Sequence, residues 1–131
     1  MKKSFSYAPT PFKKMPKGTT KMAVENAVYL TDTDDKGNKI TTKTLNARIK
    51  EVETIFLELF GGYNYVDLGK GEFISKSKKI MKERVIRIVS FAEGHLFMKN
   101  RKKLEKWLLA KKKEWRQESM SYEFEGDLYY I

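Results

Sequence analysis

The sequence predicts an α+β fold in which an antiparallel sheet carries two helices on one face. Three observations lead there. Two stretches of apolar residues recur at helical spacing, and neither is long. Four stretches alternate apolar and polar residues in the manner of strands. The two kinds of segment follow one another as β-α-β-β-α-β along 131 residues, a length suited to one domain.

The first strand is expected over residues 22–30 (MAVENAVYL), where Val24, Val28 and Tyr29 favour an extended chain. A turn-rich loop follows over 31–40. Its Asp32, Asp34 and Gly37 have the spacing of a calcium loop. Lys36 at the fifth position and Lys43 at the twelfth, where a bidentate Glu is required, argue against one. Thr42 or Thr44 is placed to cap a helix. Leu45, Ile49, Val52, Phe56 and Leu59 then form one apolar stripe, and Gly61-Gly62 ends it. YNYVDL at 63–68 and EFIS at 72–75 read as extended, with Gly69-Lys70-Gly71 as a turn or bulge, so 63–76 could be two short strands.

Residues 83–93 (ERVIRIVSFAE) are apolar on both faces, which suggests an interior strand. Val85, Arg87, Val89 and Phe91 share one face, and Arg84, Ile86, Ile88 and Ser90 the other. A second helix is expected over 98–115 with Leu104, Trp107, Leu108 and Lys111 inward. In the last strand Met120, Tyr122 and Phe124 face one way, and Ser119, Ser121, Glu123 and Glu125 the other. Gly126-Asp127 turns or bulges the chain before LYYI. This order is the split βαβ, ferredoxin-like arrangement. Residues 1–21 read as a basic flexible arm and 22–131 as the single α+β domain.

Charge narrows the function. Lys and Arg number 27 against 17 Asp and Glu, a net charge of +10. An anionic partner is therefore favoured over a cationic or apolar one. The excess is uneven. Lys2, Lys3, Lys13, Lys14, Lys17 and Lys21 precede the first acid, in a segment holding Pro9, Pro11 and Pro16, all the prolines of the chain. Residues 76–87 set six basic groups against Glu83, and 99–116 set nine against Glu105 and Glu114. Cysteine is absent, so disulfides, thiol nucleophiles and thiolate metal sites are excluded. No apolar run approaches the roughly 20 residues of a membrane span, and the lysines of the N-terminus precede no signal-peptide apolar core. A host-cytoplasmic protein without membrane contact is expected.

Catalytic patterns are sparse. His95, the single histidine, stands in a GHLF loop with no Ser or Asp pattern around it. Glu51/Glu53 and Glu123/Glu125 do not form an evident acid–base pair. GxxxxGK[ST] and GxGxxG do not occur. The expectation is a binding protein with no enzymatic activity, no catalytic residue, no metal and no cofactor. Basic groups neutralise phosphates, and aromatic faces stack on bases. Phe91, His95, Phe97, Asn100 and Arg101 cluster in sequence between the interior strand and the basic helix, while Arg116 lies at that helix's far end.

Several short motifs extend this reading. They are a TD-to-G loop at 31–37, a helix ending FGGYN at 60–64, GKGEF at 69–73, ERVIRIVSF at 83–91 and RQESMSYEFEGDLYYI at 116–131. Over residues 24–131 the chain resembles the Thoeris anti-defence family of small phage proteins. Phe73 stands where that family carries Trp, and Met120 where it carries Val. The resemblance implies a sponge that sequesters a cyclic ADP-ribose isomer or a cyclic oligonucleotide without cleaving it. It implies Phe91 as a base-stacking aromatic, Asn100 as a polar contact and Arg116 as a phosphate ligand; Arg101, from the Phe91–Arg101 segment, is a further ligand-binding candidate, and a dimer could unite the two ends of the helix. A homo-oligomer, dimer or higher, is expected because the sheet has edges and LYYI needs a cover. The alternative is a nucleic-acid-binding or anti-CRISPR interaction protein that uses the basic arm and helix 98–115. A hydrolase of cyclic nucleotides would need His95 as its acid or base.

Overall fold

The computed structural model describes residues 16–18, 24–75 and 77–131. The predicted basic arm lies outside the described residues apart from 16–18. The elements are β1 (Val24–Thr31), α1 (Thr42–Phe60), β2 (Asn64–Ile74), β3 (Ile80–Ala92), α2 (Gly94–Glu114), β4 (Ser121–Phe124) and β5 (Asp127–Tyr130). All strand pairings are antiparallel, in the order β2-β3-β1-β4-β5. The first four strands have the ferredoxin-like order, and β5 extends it by a hairpin.

The parity of each strand decides which face is buried. Val28 and Leu30 of β1 and Ile86 and Ile88 of β3 point to the helices. They meet Leu45, Ile49, Val52 and Phe56 of α1 and Leu104 and Leu108 of α2 in one core. Phe56, Phe60, Phe97 and Phe124 continue it as a chain of rings 5.1–5.8 Å apart between centroids. The buried Asn26 side chain is paired at both ends. Asn26 Nδ2 donates to the Ser90 carbonyl at 3.3 Å, and the Tyr122 hydroxyl donates to Asn26 Oδ1 at 3.0 Å.

The predicted elements are all present, with shifted boundaries. The cap of α1 is Thr41, whose hydroxyl accepts from the Thr44 amide at 3.1 Å. Thr41→Ala is therefore expected to cost about 1 kcal/mol, read as a lower midpoint in urea with an unchanged slope. Residues 64–74 form one strand, because a register shift between Asp67 and Gly69 absorbs the irregularity. Helix α2 starts at Gly94, one turn earlier than predicted, since GHLF continues the helix. The last hairpin turns at Glu125-Gly126, both with positive φ (51° and 85°). Two consecutive left-handed residues match the twist of a two-residue hairpin, and Gly at the second takes that conformation without a side-chain clash.

Candidate functional site

The helices cover one face of the sheet and leave the other open. The open face carries the odd-numbered residues of β1 and β3, which register opposite Ser121 and Glu123 of β4. At its centre four polar side chains meet. The Tyr29 hydroxyl donates to Glu123 Oε1 at 2.6 Å. The Arg87 guanidinium donates to both Glu123 oxygens, each at 3.2 Å, and to the Tyr29 oxygen at 3.2 Å. It also reaches Glu25 at 3.5 Å. Arg87 and Glu123 are mostly shielded, with side chains 19% and 14% exposed.

The two carboxylates differ in their titration. The Tyr29 hydrogen bond holds the Glu123 carboxyl below its ordinary value, against desolvation and helped by Arg87. Desolvation pushes Glu25 up, and Arg87 offsets this only in part. Desolvation also raises the Tyr29 phenol. It acts against the charge of Arg87, but the hydrogen bonds that Arg87 donates to Glu123 and Tyr29 outweigh it and raise that group. The two carboxylates therefore act on stability with opposite sign. The Glu123 contribution is present above the ordinary carboxylate range and is lost as pH falls through its lowered folded value. Ionised Glu25 is a penalty that is relieved as pH falls through its raised folded value. At pH 7, Glu123→Gln is expected to lower the melting temperature and Glu25→Gln to hold or raise it, as thermal melts of the two variants will show.

Beside this cluster, a groove of about 1190 Å³ runs over the open face. Tyr29, Thr31 and Val85 form its floor. The β2–β3 hairpin supplies Leu68, Phe73 and Met81 on one wall, and β5 supplies Leu128 and Tyr130 on the other. The loop at 33–36 and the turn at 115–119 close one end. Glu83 lies in the groove, where the Thr33 hydroxyl donates to its carboxylate. The loop's own carboxylates have structural partners. Asp32 accepts from the Arg84 amide and Lys39, and Asp34 from the Lys36 and Asn38 amides. Among the described residues that line the groove, Lys36, Arg48, Lys70 and Lys79 are balanced by Asp34, Asp35, Glu83 and Glu118, in a chain of net charge +10. That balance gives no preference for a polyphosphate. Among the described residues no group of three or more His, Asp or Glu is placed to hold a metal ion, and no helix is long and apolar enough to cross a membrane.

The structure does not bring the sequence-predicted site residues together. Phe91 is exposed on the open face at the end of β3. Asn100 is buried, and its Nδ2 donates to the Leu59 carbonyl at 2.8 Å, which satisfies a group left unpaired at the end of α1. Arg101 stands at a smaller cleft between α2 and the β4–β5 hairpin. Arg116 lies beyond the other end of α2 with φ of 52°, and its carbonyl accepts from the Asp35 amide. The 21 residues of α2 hold Phe91 and Arg116 roughly 30 Å apart. His95 is exposed and lies 3.2 Å from Glu93. Tyr29, Glu83 and Arg87 were not among the residues the sequence pointed to, and Glu123 was weighed there only as a pair with Glu125. Their one signal was polar residues at odd positions in otherwise apolar strands.

No family model matches the chain, and no curated protein matches it by sequence. Two solved structures match by fold. One is a phage SAM lyase in complex with S-methyl-5'-thioadenosine, with a TM-score of 0.62 and 13% identity over 90% of this chain and 95% of that one. The other is a phage SAM lyase in its apo state, with a TM-score of 0.56 and 16% identity over 82% and 87%. At these identities the likeness concerns the fold. It corrects one expectation: a protein without enzymatic activity no longer follows, because both solved structures that share this architecture are of a lyase. The likeness is to a phage protein and does not reach the sequestering family that the motifs resemble.

Proposed function

We propose that the open-face groove binds an adenosyl sulfonium compound and that the chain is a lyase acting on S-adenosylmethionine. The observation that carries this reading is the fold, shared almost end to end with a lyase holding S-methyl-5'-thioadenosine. The groove supports it chemically. A sulfonium is a cation, and aromatic faces and carboxylates attract cations. Phe73 and Tyr130 flank the groove from opposite walls, and Glu83 supplies a carboxylate. The described lining carries charges of both signs, which suits a substrate with an ammonium, a sulfonium and a carboxylate.

The nucleoside product keeps the methyl group, the sulfur and the adenosine, so the bond that breaks joins sulfur to the side-chain carbon of the amino acid. Its electron pair returns to sulfur and cancels the positive charge. The substrate's own carboxylate can close on that carbon as the bond breaks, which requires no water and no protein nucleophile. The protein must then hold the substrate folded. Glu83, fixed by Thr33, is suited to anchor the ammonium. The Tyr29–Glu123–Arg87 cluster gives this face a rigid floor. Removal of the host's methyl donor is a route to anti-defence, which keeps the coarse functional class that the phage resemblance implies.

Glu83→Gln keeps the shape and removes the charge. It is expected to lower kcat/KM for S-adenosylmethionine at least a hundredfold, about 3 kcal/mol in transition-state stabilisation, with the melting temperature held within a few degrees. Titration calorimetry with S-methyl-5'-thioadenosine should show binding to the wild-type chain that Phe73→Ala weakens. Absence of binding at millimolar ligand would remove the groove from the account.

A further inference from the structure

The outer surface of α2 faces away from the groove and has a different character. At 100° per residue, Lys99, Lys102, Lys103, Lys106 and Lys113 fall within an arc of about 100° on the side opposite Leu104 and Leu108. All five are exposed. No acid lies in that arc, where Ala110 and His95 are the other residues. None of the five makes an ion pair with a described residue, whereas Lys39, Arg84, Arg87 and Lys111 all do. The stripe runs from residue 99 to 113, roughly 21 Å along the helix axis.

We infer that this face of α2 binds the phosphodiester backbone of a nucleic acid duplex without regard to sequence. Three classes of partner suit a cationic helix face, and the residues separate them. A membrane surface needs an apolar face free to enter the lipid. The apolar face of α2 packs on the core, with Leu96 and Trp107 half-buried at its margin, and the exposed apolar residues beside the stripe are Met98 and Leu109. A protein interface is enriched in aromatics and Arg and depleted in Lys. This stripe holds five lysines and no Phe, Tyr, Trp or Arg. A duplex presents a dense, regular row of single negative charges, and flexible Lys point charges neutralise such a row without bidentate geometry. The stripe carries no Asn, Gln or Arg to read base edges in bidentate fashion, so positioning on the backbone is the interaction inferred. The inference is independent of the groove, which lies on the other side of the sheet.

Fluorescence anisotropy with a labelled random 20-base-pair DNA duplex tests it on the full chain. Five phosphate contacts predict a slope of log affinity against log salt near −4.5, a loss of about 500-fold between 50 and 200 mM salt. The variant Lys99→Gln/Lys102→Gln/Lys106→Gln/Lys113→Gln is expected to lose more than tenfold in affinity at 50 mM salt and to flatten the slope by about 3.6. Its melting temperature and groove ligand binding should not change. A matching duplex of RNA distinguishes the two sources of the backbone, and binding of either supports the inference. A contrast variant with Lys2, Lys3, Lys13 and Lys14 changed to Gln locates the charge that matters. Affinity lost in that variant and kept in the helix variant would overturn the inference. So would a wild-type slope shallower than −2, a measurement that does not depend on any variant folding. Displacement of the duplex by polyglutamate at equal charge as readily as by unlabelled duplex would also overturn it, in favour of an acidic protein partner.

Discussion

Phe56→Ala is expected to destabilise the chain by about 3–5 kcal/mol, the usual cost of removing a buried aromatic ring that neighbours cannot replace. Phe56 has no exposed surface and its ring lies 5.8 Å from Phe60, the start of the aromatic chain that ties α1 to α2 and β4. The helix on either side of it is anchored at Thr41 and Gly61, so it has little freedom to collapse into the cavity. For a domain of this length the loss is roughly 10–20 °C in melting temperature. A loss under 1.5 kcal/mol in urea denaturation would mean that α1 does not pack on the sheet through this face.

Arg87→Met is expected to cost about 2–3 kcal/mol. Methionine keeps the apolar stem in place, so the loss reports the charge. Without the guanidinium, Glu123 and Glu25 face each other on a largely shielded surface with no cation between them, and breaking one side of such a network costs more than the network contributes. The double variant Arg87→Met/Glu123→Gln should therefore recover part of the loss. Equal melting temperatures for the single variant and wild type would show that solvent already screens the cluster.

These two residues also mark what the sequence made legible and what it did not. The stripe Leu45, Ile49, Val52, Phe56 and Leu59 specified α1, because apolar spacing of 3 and 4 has few other solutions. The faces of β3 were likewise readable from parity, with Arg87 correctly placed on the face of Val85 and Phe91. The groove was not readable, since it depends on strand order. Tyr29, Arg87 and Glu123 are 58 and 36 residues apart in the chain and meet only because β1 pairs with both β3 and β4. Asn100 illustrates a structural role that the sequence did not show. A polar residue beside a basic helix suggested a ligand contact, yet its inward position on α2 and the unpaired carbonyls at the end of α1 give it a structural partner in Leu59. The early start of α2 was missed because GHLF reads as a loop, whereas Phe97 packs into the core from the first turn of the helix.

The central claim is that the groove over the open face cleaves an adenosyl sulfonium. The most direct test is to incubate the purified chain with S-adenosylmethionine labelled in its methyl group and to follow the products by mass spectrometry. The account predicts S-methyl-5'-thioadenosine that carries the label and accumulates in proportion to protein, at a rate lowered at least a hundredfold by Glu83→Gln. Intact S-adenosylmethionine after prolonged incubation with a chain that melts cooperatively would contradict it.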